Sequence, residues 1–156
     1  MSHVLIIFQA NTEPVEQMAL AVAVGAVEAE GLIRLRRLAG EGAPEVGHKS
    51  YGQLQVADLS WATTIIVGLE DPSAGLDESD TLLNLLSQIQ LLGVSAWTFS
   101  AEGLQTPRTA AQIAVEKAFI DGGIALLKPE IHEDLADLLE QMKQAGHLSV
   151  RYAENN

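Results

Sequence analysis

The stretch IIFQANTEPVEQMA, residues 6–19, starts as the end of an apolar run and finishes as the start of a helix. A loop joining a first strand to a first helix is where many α/β proteins hold a phosphate, through the helix's unpaired N–H groups and positive pole. This loop has no glycine. It carries Glu13 and Pro14 where a phosphate site uses small residues with free backbone N–H groups, and proline has none. Upstream, residues 3–8 are continuously apolar and rich in β-branched side chains, which predicts a strand buried on both faces. Downstream, Thr12 is placed to cap a helix with Glu13 and Glu16 in its first turn, and Gly31 stands just past its end.

The same alternation continues along the chain. LIRLRRL, residues 32–38, carries Arg34, Arg36 and Arg37, so it cannot be buried on both faces and reads as an edge strand. A glycine-rich connection covers 40–52, with a short helix near 51–59. TTIIVG, residues 63–68, is a second central strand. A helix opened by Asp77 or Ser79 runs to about Leu92 and is ended by Gly93. VSAWTFS, residues 94–100, is a third central strand. The pair Thr106-Pro107 opens another helix with proline at its first position, ending near Gly122 and Gly123. A short strand follows at 124–127. The final helix covers 132–145, with Leu135, Leu138, Leu139 and Met142 on one face; Gly146 stops it, and 146–156 form a frayed tail. Strand–helix alternation throughout implies a parallel sheet covered by helices on both faces, in one domain spanning 1–156.

The totals narrow the function. With 156 residues the chain is long enough to bury a core, and 47% apolar with 19% charged residues is ordinary for a globular protein. A net charge of -12 argues against binding nucleic acid or an anionic membrane, since both need clustered cations. The absence of cysteine removes disulfides, thiolate metal sites and cysteine nucleophiles. MSHVLIIF has no basic region and too short an apolar run for a signal peptide, and the apolar stretch 18–27 is too short to span a bilayer, so the expected location is the cytoplasm. His3, His48, His132 and His147 are dispersed without ligand spacing, so no metal site is expected. No nucleophile–base pair can be argued, so no catalytic residue is assigned.

IIFQANTEPVEQMA resembles the first strand, loop and helix of flavodoxins, whose loop has the pattern Ser/Thr-x-Thr-Gly-x-Thr. VADLSWATTIIVG (56–68) and GVSAWTFSAEG (93–103) resemble the later flavin-side segments of that superfamily. MALAVAVGAVEAEG (18–31) is similar in character to its flavin-dependent NAD(P)H:quinone oxidoreductase branch. The resemblance implies a three-layer α/β/α sandwich around a five-stranded parallel sheet in the order 2-1-3-4-5, with the Arg-bearing strand at an edge. It also implies FMN as cofactor, held by Ala10, Asn11, Thr12, Glu13 and Val15 in the first loop, Leu69 and Glu70 after the third strand, and Ser100, Ala101, Glu102 and Gly103 after the fourth.

Against the motif, the first Ser/Thr falls on Ala10, Thr12 is kept, the glycine falls on Glu13 and the last threonine on Val15. Two hydroxyls and one N–H donor are therefore missing, and a carboxylate lies at the helix start. Like charges about 4 Å apart repel by roughly 4 kcal/mol at an effective dielectric near 20, and each lost charge-assisted hydrogen bond removes roughly 1.5–3 kcal/mol. Acidic residues in a first turn are also ordinary capping residues. The loops LEDPSAGLD (69–77) and SAEGLQTP (100–107) contain no aromatic residue to stack on a flavin, which leaves Tyr51 as the nearby candidate; Trp61 and Trp97 read as core or rim. Glu70 and Asp71 read as a charged turn before Pro72.

Two functions follow. One is a non-catalytic interaction or scaffold protein without tightly bound FMN. The other is an FMN-binding electron-transfer protein or NAD(P)H:quinone oxidoreductase. Helix one adds a second apolar stripe, Leu20, Val24 and Val27, nearly opposite Val15, Met18, Ala19, Val22 and Ala26. A helix on a sheet needs one stripe. The second is either covered by a neighbouring helix of the chain or marks a homo-oligomer or partner interface.

Overall fold

The computed structural model describes residues 2–9, 13–38, 52–69, 79–88, 93–101, 103–104, 109–130 and 137–155. Six strands and five helices follow one another through them, alternating except where β3 follows β2: β1 (His3–Phe8), α1 (Glu13–Glu28), β2 (Leu32–Arg37), β3 (Gly52–Gln53), α2 (Val56–Trp61), β4 (Thr64–Leu69), α3 (Ser79–Leu86), β5 (Ser95–Ser100), α4 (Ala110–Asp121), β6 (Ala125–Leu126) and α5 (Leu138–Asn155). The strands form one sheet in the order β3-β2-β1-β4-β5-β6, and every pairing is parallel.

The expected five-stranded sheet in the order 2-1-3-4-5 is corrected to six strands. Five of them keep the expected relative order; the sixth, β3, adds outside β2 by pairing Gly52 with Arg36 and Gln53 with Arg37. A two-residue strand leaves no periodic signal. It also means that β2 is not an edge along Arg36 and Arg37.

Burial follows composition. Every residue of β4 and β5 is buried, as are Val4 to Phe8 of β1, whereas β2 with its three arginines is half-exposed. Alternate side chains enter two cores. Val4, Ile6, Phe8, Ile66, Trp97 and Phe99 pack beneath α1 and α5. Leu5, Ile7, Ile65, Val67, Leu69 and Ala96 pack beneath α2, α3 and α4. The layers are thus α/β/α. Among the described residues no helix is long and apolar enough to cross a membrane.

Three helix ends depart from expectation. The cap of α4 is Thr109, whose hydroxyl accepts from the Gln112 N–H while the Gln112 side chain accepts from the Thr109 N–H, so α4 starts at Ala110; the expected opening pair Thr106-Pro107 lies outside the described residues. After α1, the left-handed residue is Glu30 (φ 68°) rather than Gly31. A Cβ on Gly31 would come 2.7 Å from Val150 Cγ2, so that glycine serves close packing. Finally, α5 is not stopped by Gly146 and residues 146–155 are helical, not a frayed tail. Gly146 lies against the α1 backbone, where a Cβ would overlap the Val22 carbonyl oxygen; reciprocally, a Cβ on Gly25 would overlap the Lys143 carbonyl oxygen. The inward face of α5 accordingly contains Met142, Ala145, Gly146, Ser149 and Val150, while Leu139 is exposed. The start expected at 132–136 lies outside the described residues.

Candidate functional site

In an open parallel sheet, ligands bind beyond the carboxyl ends of the strands, where successive connections leave for opposite faces. Here that point lies between β1 and β4. The chain leaves β1 for α1 on one face and leaves β4 for α3 on the other. Register brings the strand ends level: Phe8 is opposite Gly68, Gly68 opposite Phe99, and Leu69 opposite Ser100. The β1 exit is tied to its neighbours by Gln9 N–H donating to the Gly68 carbonyl (3.0 Å) and Leu38 N–H donating to the Phe8 carbonyl (2.8 Å).

Of the expected first-loop residues, Ala10, Asn11 and Thr12 lie outside the described residues. Glu13 opens α1 and is exposed; its carboxylate accepts a 2.7 Å hydrogen bond from the Gln17 side-chain amide one turn on. Pro14 is exposed and Val15 is fully buried in the α1 core. The residue that sequence reasoning underrated is Glu16. It is only 4% exposed, which places a second carboxylate inside the first turn of α1. A glutamate there reads as a solvated residue, and only its spacing from Val15 and Ala19 hints at burial.

On the other strands, Leu69 and Ser100 are buried and Ala101 is half-buried; Glu70 and Glu102 lie outside the described residues, as do Asp71 and Tyr51. The β5 exit closes on itself. Gly103 N–H donates to the Ser100 carbonyl (3.0 Å) and Ser100 N–H donates to the Gly103 carbonyl (3.4 Å). Gly103 has φ 96°, and a Cβ on it would stand 2.7 Å from Leu138 Cδ1 at the start of α5. Those two N–H groups are therefore committed within the turn. Phe99 fills the space beside Gly68: a Cβ there would stand 2.5 Å from the ring. Trp97, tilted against Phe99, is buried and donates its indole N–H to Ser149 Oγ (2.7 Å), so it belongs to the core as expected.

Behind the β5 exit lies a polar chain that the sequence did not disclose. Gln112 donates to Thr98 Oγ1 (3.1 Å), which donates to Glu116 Oε1 (3.0 Å), so α4 is bolted to β5 beneath the loop. A second polar cluster surrounds Trp61, at the opposite end of the sheet. Its ring stacks on His3 (4.6 Å, 3° between planes), and the Arg34 guanidinium lies 4.3 Å from its centre. Among the described residues no group of three His, Asp or Glu side chains gathers as a metal site would require.

The arrangement is that of an open, doubly wound α/β protein whose topological switch point lies between the β1 and β4 exits. Solved structures narrow that class to a flavodoxin-like fold. A Streptococcus pneumoniae flavodoxin matches with a TM-score of 0.67 at 14% identity, over 97% of this chain and 99% of that one. Flavodoxin 1 of Bacillus cereus, in its oxidised form, matches at 0.65 and 20% identity over 97% and 99%. A flavodoxin-like domain from Synechococcus matches at 0.64 and 15% over 98% and 99%. No family profile and no curated protein matches the sequence.

Proposed function

We propose that this flavodoxin-like domain does not hold FMN tightly and acts through protein contacts. The first turn of α1 carries the proposal. A phosphate there needs free N–H groups and no competing anion. The described residues speak against one: Pro14 offers no N–H, Val15 is buried where the motif has a hydroxyl, and Glu13 and Glu16 put two acidic residues in the first turn, whose charge disfavours a phosphate there. The described residues of the β5 exit, 100, 101, 103 and 104, add no aromatic side chain, and the Ser100 and Gly103 N–H groups bond within the turn. The protein is expected to purify colourless. Titration with FMN, followed by flavin fluorescence, should give a dissociation constant weaker than roughly 1 µM. A yellow preparation with one FMN per chain would overturn the reading in favour of an FMN-binding electron-transfer protein or quinone oxidoreductase, which the flavodoxin fold supports.

The contact surface we propose is the outer face of α1, with a second copy of the chain as its occupant. Leu20 is half-buried, while Val24 and Val27 are 49% and 52% exposed; α5 packs on another side of the helix, through Val22 and Gly25. Apolar area is worth roughly 25 cal/mol per Å² when removed from water, and a two-fold axis would use the stripe on both chains at once. Val24→Glu should shift the sedimentation of the protein to that of a monomer without altering its far-UV spectrum. A wild-type chain that sediments as a monomer at high concentration removes self-association.

A further inference from the structure

A cavity of about 600 Å³ opens at the far side of the molecule, between the segment after β6 and the last turns of α5. It is remote from the strand exits: Leu126 pairs with Ala96 near the start of β5, and the Val150 carbonyl accepts from the Ser2 hydroxyl beside the start of β1. Its size lies within the range of small-molecule sites. The apolar lining is Leu126, Leu127, Pro129 and Leu148. Two cations, Lys128 and Arg151, stand at its rim against one carboxylate, Glu130. Both cations are exposed. Neither is paired with a carboxylate among the described residues; Arg151 Nε–H donates to His147 Nε2 (3.3 Å), which leaves its terminal nitrogens available.

The charge is informative because of its setting. The chain has nine Lys and Arg against 21 Asp and Glu, so an anion is repelled by most of the surface. Here two of the nine cations share one apolar groove. An apolar lining with cations at one side fits a ligand with a hydrocarbon body and a single anionic head, since a guanidinium and an ammonium can both donate to one carboxylate. The floor is rigid: Ser149 is buried, and its hydroxyl accepts from Trp97 and donates to the Ala145 carbonyl (2.7 Å). We propose that this groove binds a small amphipathic carboxylate, with its chain against Leu126, Leu127 and Leu148 and its head between Lys128 and Arg151.

The Trp97 indole N–H, hydrogen-bonded to the groove floor, reports occupancy. Sodium octanoate titrated into the full chain should shift the Trp97 indole N–H resonance saturably, and calorimetry should give one site per chain. The double variant Lys128→Ala/Arg151→Ala, whose altered side chains are exposed, should fold as wild type and bind at least about tenfold more weakly. Octyltrimethylammonium, with the same tail and opposite charge, should produce no saturable shift. Absence of a saturable octanoate shift, equal binding of the cationic analogue, or unchanged affinity in a folded double variant would each overturn the assignment.

Discussion

Replacing Gly146 with valine is expected to destabilise the protein by about 4 kcal/mol, because the obstacle is backbone and cannot rotate away. At Gly146 a Cβ would overlap the Val22 carbonyl oxygen and stand 2.9 Å from the Val22 carbonyl carbon and 3.1 Å from Val22 Cα. The two helices would have to separate. Separation would also loosen Met18, Val22, Ala26, Met142 and Val150, which pack in the core between them. The alanine variant makes the cause testable by its sign. In an open helix, Gly→Ala stabilises by roughly 1 kcal/mol. At Gly146 the Cβ itself collides, so alanine should also destabilise, by about 2 kcal/mol. Urea unfolding of both variants measures this. A neutral or stabilised Gly146→Ala would mean that α1 and α5 do not approach as closely as described.

The same residue shows what is legible in a sequence and what is not. Gly146 follows an apolar-periodic segment, and glycine after such a segment ordinarily ends a helix. Glycine also lets two helices touch backbone to backbone, and one chain does not say which role applies until its partner, here Val22 on α1, is known. Local signals fared better. β1, β4 and β5 are continuous apolar runs bounded by turn residues, and each was readable as a buried strand. The arginines of residues 32–38 correctly excluded burial of β2 on both faces. Asp58, the partner of Arg34 and Arg36, was hidden in a helix 24 and 22 residues further on. At the strand exits, Glu13, Pro14 and Val15 could be judged from residue type alone. Burial of Glu16 could not, since it depends on how α1 lies against the sheet.

That hidden partner carries the last expectation. The Asp58 side chain is 6% exposed and serves three donors. Arg34 Nη1 donates to Oδ1 (3.1 Å); Arg36 Nε (3.0 Å) and the Gln55 N–H (3.0 Å) donate to Oδ2. Burial raises the carboxyl's pKa, but the hydrogen bonds from Arg36, Gln55 and Arg34 outweigh it and hold the group below its ordinary value of 3.8. A carboxyl depressed by folding stabilises the fold above its unfolded pKa, and that contribution is lost as pH falls through the folded pKa. Asp58→Asn keeps the shape but turns an amide towards one guanidinium. With the arginine side chains 36% and 26% exposed, water can rehydrate them, so the cost at pH 7 should be about 2 kcal/mol rather than the larger penalty of a fully buried pair. The gap between wild type and variant should stay constant from neutral pH down to about pH 4 and narrow below it, as the wild-type carboxylate takes up its proton. Paired denaturant unfolding curves across that range measure the gap. A gap that persists undiminished at the lowest accessible pH would show that Asp58 holds β2 to α2 by its shape and not by its charge.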